Sequence, residues 1–396
     1  MPNDLSYIVL LFVLFVLPRL LQRFRLPAAI TSLLLGIGAG GLGLFEHDAT
    51  LALLSTLGIV ALFLFAGLEV DVEDFRPGAR VLVQHLVIWV LTLLATTAAI
   101  IAIFQVSLRA GTLLALAIIT PSTGFILDSL DRFGLTASEK HWTKAKAVSS
   151  ELVALVLMFI ALRSGSVQEL ALSLLVLVLL LLLLPPVFRW FAAAISPYAP
   201  RSEFAFLLMV AMVCAYVTRH LGVYYLVGAF VAGVAARQFR DRLPAMSSDR
   251  MLSAVEAFAS VFIPFYFFKA GHGILLASLG GWSILAGLVL TVLFVGLRLG
   301  EVWLHRRLAL RERGHHAVRI GVALLPTLVF SLVCVQLLRD RFIVPDYLLG
   351  GIVYYAILTT LLPGFALGIQ PAAFEEPHLE PAPGHEAKSP SPSVDP

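Results

Sequence analysis

From about residue 6 to residue 369 the chain is a succession of apolar runs separated by short polar stretches. Each run is close to the roughly 20 residues that a helix needs to cross a bilayer. Read with a 19-residue hydropathy window, thirteen runs lie near 6–22, 27–44, 50–69, 80–104, 109–130, 144–163, 168–192, 203–219, 222–238, 252–271, 280–305, 316–338 and 345–369. Only 13% of the residues are charged and the mean hydropathy is +0.94. A water-soluble enzyme, with about 25% charged residues, is excluded. The pattern predicts an all-α polytopic membrane protein with 13 transmembrane helices.

The first run, Ile8 to Leu21, is followed rather than preceded by its positive charges, Arg19, Arg23 and Arg25, and lacks a small-residue cleavage pattern. It reads as a retained helix, not a secretory signal. Residues 371–396 are rich in Pro, Ser and Glu without apolar periodicity, and are expected to form a disordered cytoplasmic tail. Cys214 and Cys334 both fall inside apolar runs and read as small core residues. The net charge of +3, with no basic block, gives no sign of a nucleic-acid partner.

Loop charge sets the expected orientation. Of 28 Lys and Arg residues, 21 fall in one set of loops and five (Arg109, Arg163, Arg219, Arg339 and Arg341) in the other. The remaining two, Lys269 and Arg298, lie in apolar segments. The asymmetry predicts an outside N-terminus, a cytoplasmic C-terminus and an odd number of spans.

Two halves of the chain share punctuation. Phe65-Ala66-Gly67 matches Lys269-Ala270-Gly271 at an offset of 204, Thr120-Pro121-Ser122 matches Leu325-Pro326-Thr327 at 205, and Gly36 matches Gly233 at 197. The matched helices are seven apart, and an odd separation reverses the direction of crossing. Repeats of about 6–163 and 203–369 are therefore expected to be inverted, with the helix at 168–192 as linker. Inverted repeats with interrupted helices are an architecture of secondary transporters. Pro121 and Pro326 supply the interruptions, because proline lacks an N–H and disfavours helical geometry in the residue before it. Thr120, Ser122, Thr123 and Thr327 offer hydroxyls to the unwound backbone, and the freed carbonyls are candidates to coordinate or steer a cation.

Charge inside a span is costly and marks functional candidates. Glu151, in Ala147-Val148-Ser149-Ser150-Glu151-Leu152-Val153-Ala154, is the clearest. Hydrocarbon favours a neutral carboxylic acid and a bound cation favours a carboxylate, so proton and cation compete for one group. Lys269 is a candidate charge partner that a cation would displace, or a side chain snorkelling to the interface. Arg298 is a second candidate, with an ion pair to Glu301 or a helix-end contact as the structural alternative. Glu256, His85 and His272 lie near segment ends and read as interfacial. Glu69, Asp71, Glu73 and Asp74 read as a solvated acidic loop, and His315-His316 is too isolated for a metal site.

The stretch Arg25-Leu26-Pro27-Ala28, continuing through Gly36 and Gly40, resembles the Leu-Pro and glycine-rich opening of monovalent cation:proton antiporters. Leu62-Phe63-Leu64-Phe65-Ala66-Gly67-Leu68-Glu69 closely matches the signature of the cation:proton antiporter-2 family. Pro264-Phe265-Tyr266-Phe267-Phe268 followed by Gly271, and Phe330-Ser331-Leu332-Val333, resemble two more of its motifs in the right order. The resemblance runs from about residue 6 to 370. It implies a thirteen-helix fold with a dimerisation domain, crossed broken helices in a six-helix core, and elevator-like movement of that core, usually in a homodimer. The family's ion-binding helix 6 aspartate, commonly preceded by Asp, Asn or Gln, maps onto Glu151, with Ser150 before it.

Three departures stand out. The helix 6 pair is Ser-Glu, the glycine-glutamate of the family's helix 12 is Leu328 and Val329, and Lys269 stands where a small residue is usual. The cytosolic nucleotide-binding domain of many relatives has no counterpart, so no nucleotide gating is expected. Residues 1–370 are thus expected to form one transmembrane antiporter domain in a bacterial inner membrane. It would exchange Na⁺ or K⁺, and Li⁺ as a further candidate, for protons without a cofactor. A cation channel or uniporter on the same scaffold, and a membrane sensor that does not transport, are the alternatives.

Overall fold

Fifteen α-helices follow one another in the computed structural model, which describes residues 4–46, 48–70, 78–199, 202–222, 225–238, 249–311 and 314–367. They are α1 (Asp4–Gln22), α2 (Ala28–Gly41), α3 (Ala49–Leu68), α4 (Ala79–Phe104), α5 (Leu108–Ile119), α6 (Thr123–Ser129), α7 (Ala137–Arg163) and α8 (Val167–Ala194). After these come α9 (Glu203–His220), α10 (Tyr225–Gln238), α11 (Asp249–His272), α12 (Gly281–Ala309), α13 (Gly314–Ala323), α14 (Leu328–Arg341) and α15 (Asp346–Ala366). No strand occurs among the described residues. The expected tail at 371–396, and Asp71, Glu73 and Asp74 of the acidic loop, lie outside them.

Ten helical stretches are long and apolar enough to cross a membrane, or eleven if α13 and α14, which meet at a 44° bend, count as one. One of the ten, Leu108–Phe133, contains the α5–α6 break. Helices α2 and α10 have 14 residues each, about 21 Å at 1.5 Å per residue, short of the roughly 30 Å hydrocarbon core.

Helix α7 begins at Ala137, two turns before the apolar run that marks it in the sequence. The start is set by a capping box: Thr136 accepts the Glu139 N–H through its hydroxyl, and the Glu139 carboxylate accepts the Thr136 N–H at 2.8 Å. The extension carries Lys146 into the protein. Counted in the sequence as a loop cation, Lys146 is buried on α7, with Nζ 3.4 Å from His305 Nδ1.

Helices α5 and α14 are buried around nearly their whole circumference, and α7 and α15 pack beside them. Helices α1, α8 and α12 expose apolar side chains over most of their length, as expected of surface that faces lipid tails. A second unit is built on glycine seams. A Cβ on Gly36 of α2 would strike the Phe268 carbonyl of α11 and lie 2.9 Å from the His272 nitrogen, and one on Gly271 would lie 3.1 Å from the Ile37 nitrogen. On the other side, a Cβ on Gly67 of α3 would lie 3.0 Å from the Gly233 Cα of α10, and the reverse distance is 2.9 Å. Hydrogen at these positions lets backbones touch, the small-residue contact by which helices associate in lipid.

Candidate functional site

Thr120 ends α5 with φ −74° and ψ 122°, the extended geometry that Pro121 imposes on its predecessor. A matching gap separates α13 from α14 at Leu324–Thr327. The two breaks meet. Ser122 N–H donates to the Pro326 carbonyl at 2.8 Å, and Ser122 Oγ accepts the N–H groups of Val329 and Phe330 at 2.9 and 3.3 Å. Ser331 Oγ donates back to the Ala117 carbonyl of α5 at 2.6 Å. Thr327 and Thr359 hydroxyls lie 3.3 Å apart, tying the second break to α15.

Arg298 serves the breaks from α12. Buried at 7% exposure, it donates to the Leu324 and Leu325 carbonyls at 2.6 and 2.9 Å and to Tyr355 Oη at 3.3 Å. Tyr355 Oη in turn donates to the Ile118 carbonyl of α5 at 2.8 Å. One guanidinium and one phenol therefore satisfy carbonyls at the C-terminal ends of both half-helices, where positive charge is favoured. The helix-end contact is the arrangement present, and it leaves these backbone carbonyls committed to protein donors.

Glu151 lies at this meeting point, 2% exposed. Its Oε2 accepts the Thr123 N–H, the first amide of α6, at 2.7 Å. No cation stands within ion-pair distance of it among the described residues. The Thr123 side chain lies against the Glu151 carboxylate, and the Thr120 hydroxyl is buried with no hydrogen-bond partner among the described residues. A buried carboxylate without a counter-charge among the described residues thus stands against the broken segment that carries the Thr120 and Thr123 hydroxyls. This is a donor set suited to a hard monovalent cation or a proton.

Of the sequence candidates, Ser122, Thr123, Glu151 and Pro326 are joined directly, and Thr120, Pro121 and Thr327 form the adjoining breaks. Ser150 Oγ points elsewhere and lies 3.1 Å from His85 Nε2 on α4. Lys269 does not reach Glu151: it lines a cavity with Arg219, Tyr225 and Arg339 near the end of α11. His85, read as interfacial, is the residue that sequence reasoning missed. It is two turns inside α4, and a histidine that deep in an apolar helix was the available signal. Behind it, His305 Nε2 lies 3.4 Å from Gln84 Oε1. His316 is taken by Glu139 at 2.8 Å, and no group of three metal-binding side chains occurs among the described residues.

Residues 8–370 match the family described as sodium/hydrogen exchanger, transmembrane. A Na⁺/H⁺ antiporter of Enterococcus hirae is 24% identical over 359 residues, covering 86% of this chain and 91% of that protein. The Na⁺/H⁺-K⁺ antiporter GerN of Bacillus cereus is 23% identical over 290 residues, covering 68% and 72%. In fold, the sodium proton antiporter MjNhaP1 from Methanocaldococcus jannaschii superposes with a TM-score of 0.68 at 15% identity, over 91% of this chain and 95% of that one. With its many apolar helices and a family match over nearly its whole helical part, the chain is a multi-pass membrane protein that belongs to the sodium/hydrogen exchanger family of cation:proton antiporters.

Proposed function

We propose that this protein exchanges a monovalent cation, Na⁺ or K⁺, for protons, with Glu151 as the carboxylate that both ions share. The observation that carries this reading is the burial of Glu151, without a counter-charge among the described residues, against the first amide of α6 on the segment that carries the Thr120 and Thr123 hydroxyls. Protonated, Glu151 is neutral and needs no counter-charge. Ionised, it needs a cation, and none of the described side chains supplies one. The two loads are therefore mutually exclusive, which is the condition for obligatory exchange. Ser122 and Ser150 support the site from bonded positions, Ser122 by capping α14 and Ser150 through His85. Arg298 holds the half-helix ends, and K⁺ is retained beside Na⁺ on the strength of the name GerN carries.

The movement in this reading is alternating access of an elevator kind. The unit containing α5, α7 and α14 would slide against the glycine-seamed frame of α2, α3, α10 and α11 in a homodimer. The short helices α2 and α10, added to the eleven longer stretches, give thirteen spans. An inverted repeat is supported by the seams: pairing Gly36 with Gly233 and Gly67 with Gly271 turns the α2–α11 contact into the α10–α3 contact. The asymmetry of loop charge, which persists with the buried Lys146 and Arg306 set aside, supports an outside N-terminus and a cytoplasmic C-terminus, here in a bacterial inner membrane.

Proton flux in proteoliposomes with a preset pH gradient tests the reading, with Na⁺, K⁺ and Li⁺ added in turn to the wild type and to Glu151→Gln. Dissipation that depends on the cation and is lost in the variant is expected. Current without proton flux would establish a channel instead, and folded protein with no flux for any ion would leave a sensor.

A further inference from the structure

A cavity of about 580 Å³ opens where α9, α11 and α14 end and α3 and α10 begin. Its charged lining is Arg219, Lys269, Arg339 and Arg341 against a single carboxylate, Asp340. This is the cation-poor side of the molecule. Of the five basic residues in the loops there, three converge on this cavity and are joined by Lys269 from within a helix. The other two are occupied elsewhere: Arg109 donates to the Ala161 and Leu162 carbonyls, and Arg163 to Ser173 Oγ.

No carboxylate among the described residues, Asp340 included, forms an ion pair with any of the four cations. The Lys269 side chain makes no hydrogen bond or ion pair among the described residues, and the carboxylate acting on it, Asp48, is already bonded to Tyr7 and the Leu51 N–H. Arg339 and Arg341 each spend one contact on a loop carbonyl, Gly273 and Gly222 respectively. That fixes each guanidinium while leaving most of its five N–H donors for a ligand. Arg219 lies over the Tyr225 ring at 4.9 Å. Such a surplus of positive charge repels a cation substrate, so the exchange of cations does not account for it.

We propose that this cavity is a binding site for an oxyanion, a carboxylate- or phosphate-bearing group, held by Lys269, Arg339 and Arg341. Arginine forks match carboxylate and phosphate oxygens in pairs, and the volume lies within the ~300–1,000 Å³ range of small-molecule sites. The group arrives either on a free anion or on the headgroup of an anionic lipid. The inference is independent of the role given to Glu151.

Calorimetric titration of the full chain in a neutral detergent with citrate and with inorganic phosphate, at constant ionic strength set by chloride, provides the test. Saturable binding is expected, weakened at least tenfold by Lys269→Gln and by Arg339→Gln and unchanged by Arg109→Gln or Glu151→Gln. Because Arg339 also pins a loop, Lys269→Gln, which removes no hydrogen bond, is the decisive variant, with its melting temperature as the fold control. Phosphatidylglycerol retained preferentially over phosphatidylcholine in native mass spectra, and lost in Lys269→Gln, would identify the lipid source. No saturable binding of citrate, phosphate or phosphatidylglycerol, or binding that survives Lys269→Gln undiminished, overturns the proposal.

Discussion

Replacing Ser122 by alanine removes one oxygen from the meeting of the two breaks, and the structure fixes what that costs. Ser122 is 1% exposed and its Oγ accepts two amides of α14, from Val329 at 2.9 Å and Phe330 at 3.3 Å. Alanine fits the space but leaves both N–H groups unpaired in a dry environment. Losing an N-terminal cap costs about 0.5–2 kcal/mol, and a buried donor left unsatisfied costs about 1–3 kcal/mol. The first contact is near ideal length and the second is long, so the total is about 2–3 kcal/mol. At 1.4 kcal/mol per factor of ten, that becomes roughly a 30- to 150-fold gain in amide exchange. Hydrogen–deuterium exchange of the peptide spanning 324–331 reads it directly, with a distant peptide in α8 as control. Ser122→Thr, which keeps an acceptor, should recover most of the protection. Exchange in Ser122→Ala within about threefold of wild type would mean that the hydroxyl is not the cap, and the account of how the breaks are held would fail.

Gly67→Ala should lower stability by about 1–3 kcal/mol, the cost of overpacking a close contact. Gly233→Ala should do the same, and the double variant should fall short of the sum because both open one seam; additive losses in thermal unfolding would refute a shared contact. Burial works against ionisation of Asp48, but the Tyr7 hydroxyl and the Leu51 and Thr50 amides outweigh it and hold the carboxyl below its ordinary value of 3.8. Its stabilising contribution is therefore present above that value and lost as pH falls through the lower folded one. Asp48→Asn keeps a capping oxygen but loses the charge, so it should be less stable than the wild type at neutral pH, with the gap closing only in strong acid; a gap constant with pH contradicts this. His85→Gln should keep the Ser150 contact and near-normal flux, whereas His85→Leu should slow cation-dependent proton flux several-fold, and equal flux in both would remove any role for that contact.

The helical layout was legible because hydropathy reports local sequence. Both interruptions were readable from Pro121 and Pro326, whose chemistry acts on the adjacent backbone. Glu151 was readable because a carboxylate within an apolar run is costly wherever it packs. The misreadings share a different cause. The start of α7 was hidden because its first two turns carry Ser138, Glu139, Lys140 and His141, and polarity was taken for a loop where a capping box starts a helix. Lys146 and Arg306 were counted as loop cations, yet both are buried, Arg306 with its guanidinium 5.2 Å from the Trp142 ring. The work assigned to Arg298 and Lys269 depended on which side chains lie across from them, and partners more than twenty residues away leave no local trace.

The glycine seams also set an order of assembly. Helix α2 finds its backbone partner in α11, and α3 finds its partners in α10 and α11, around two hundred positions later in the chain. A helix pair joined at that separation closes late. While the ribosome is still making the middle of the protein, α2 and α3 are already in the bilayer with their notched faces against lipid. They gain their lasting neighbours only when residues up to His272 have been inserted. Early membrane intermediates should therefore contain a central helix bundle that is forming beside two waiting helices, and a chain stalled before α10 should leave Gly36 and Gly67 open to any other helix with a matching notch.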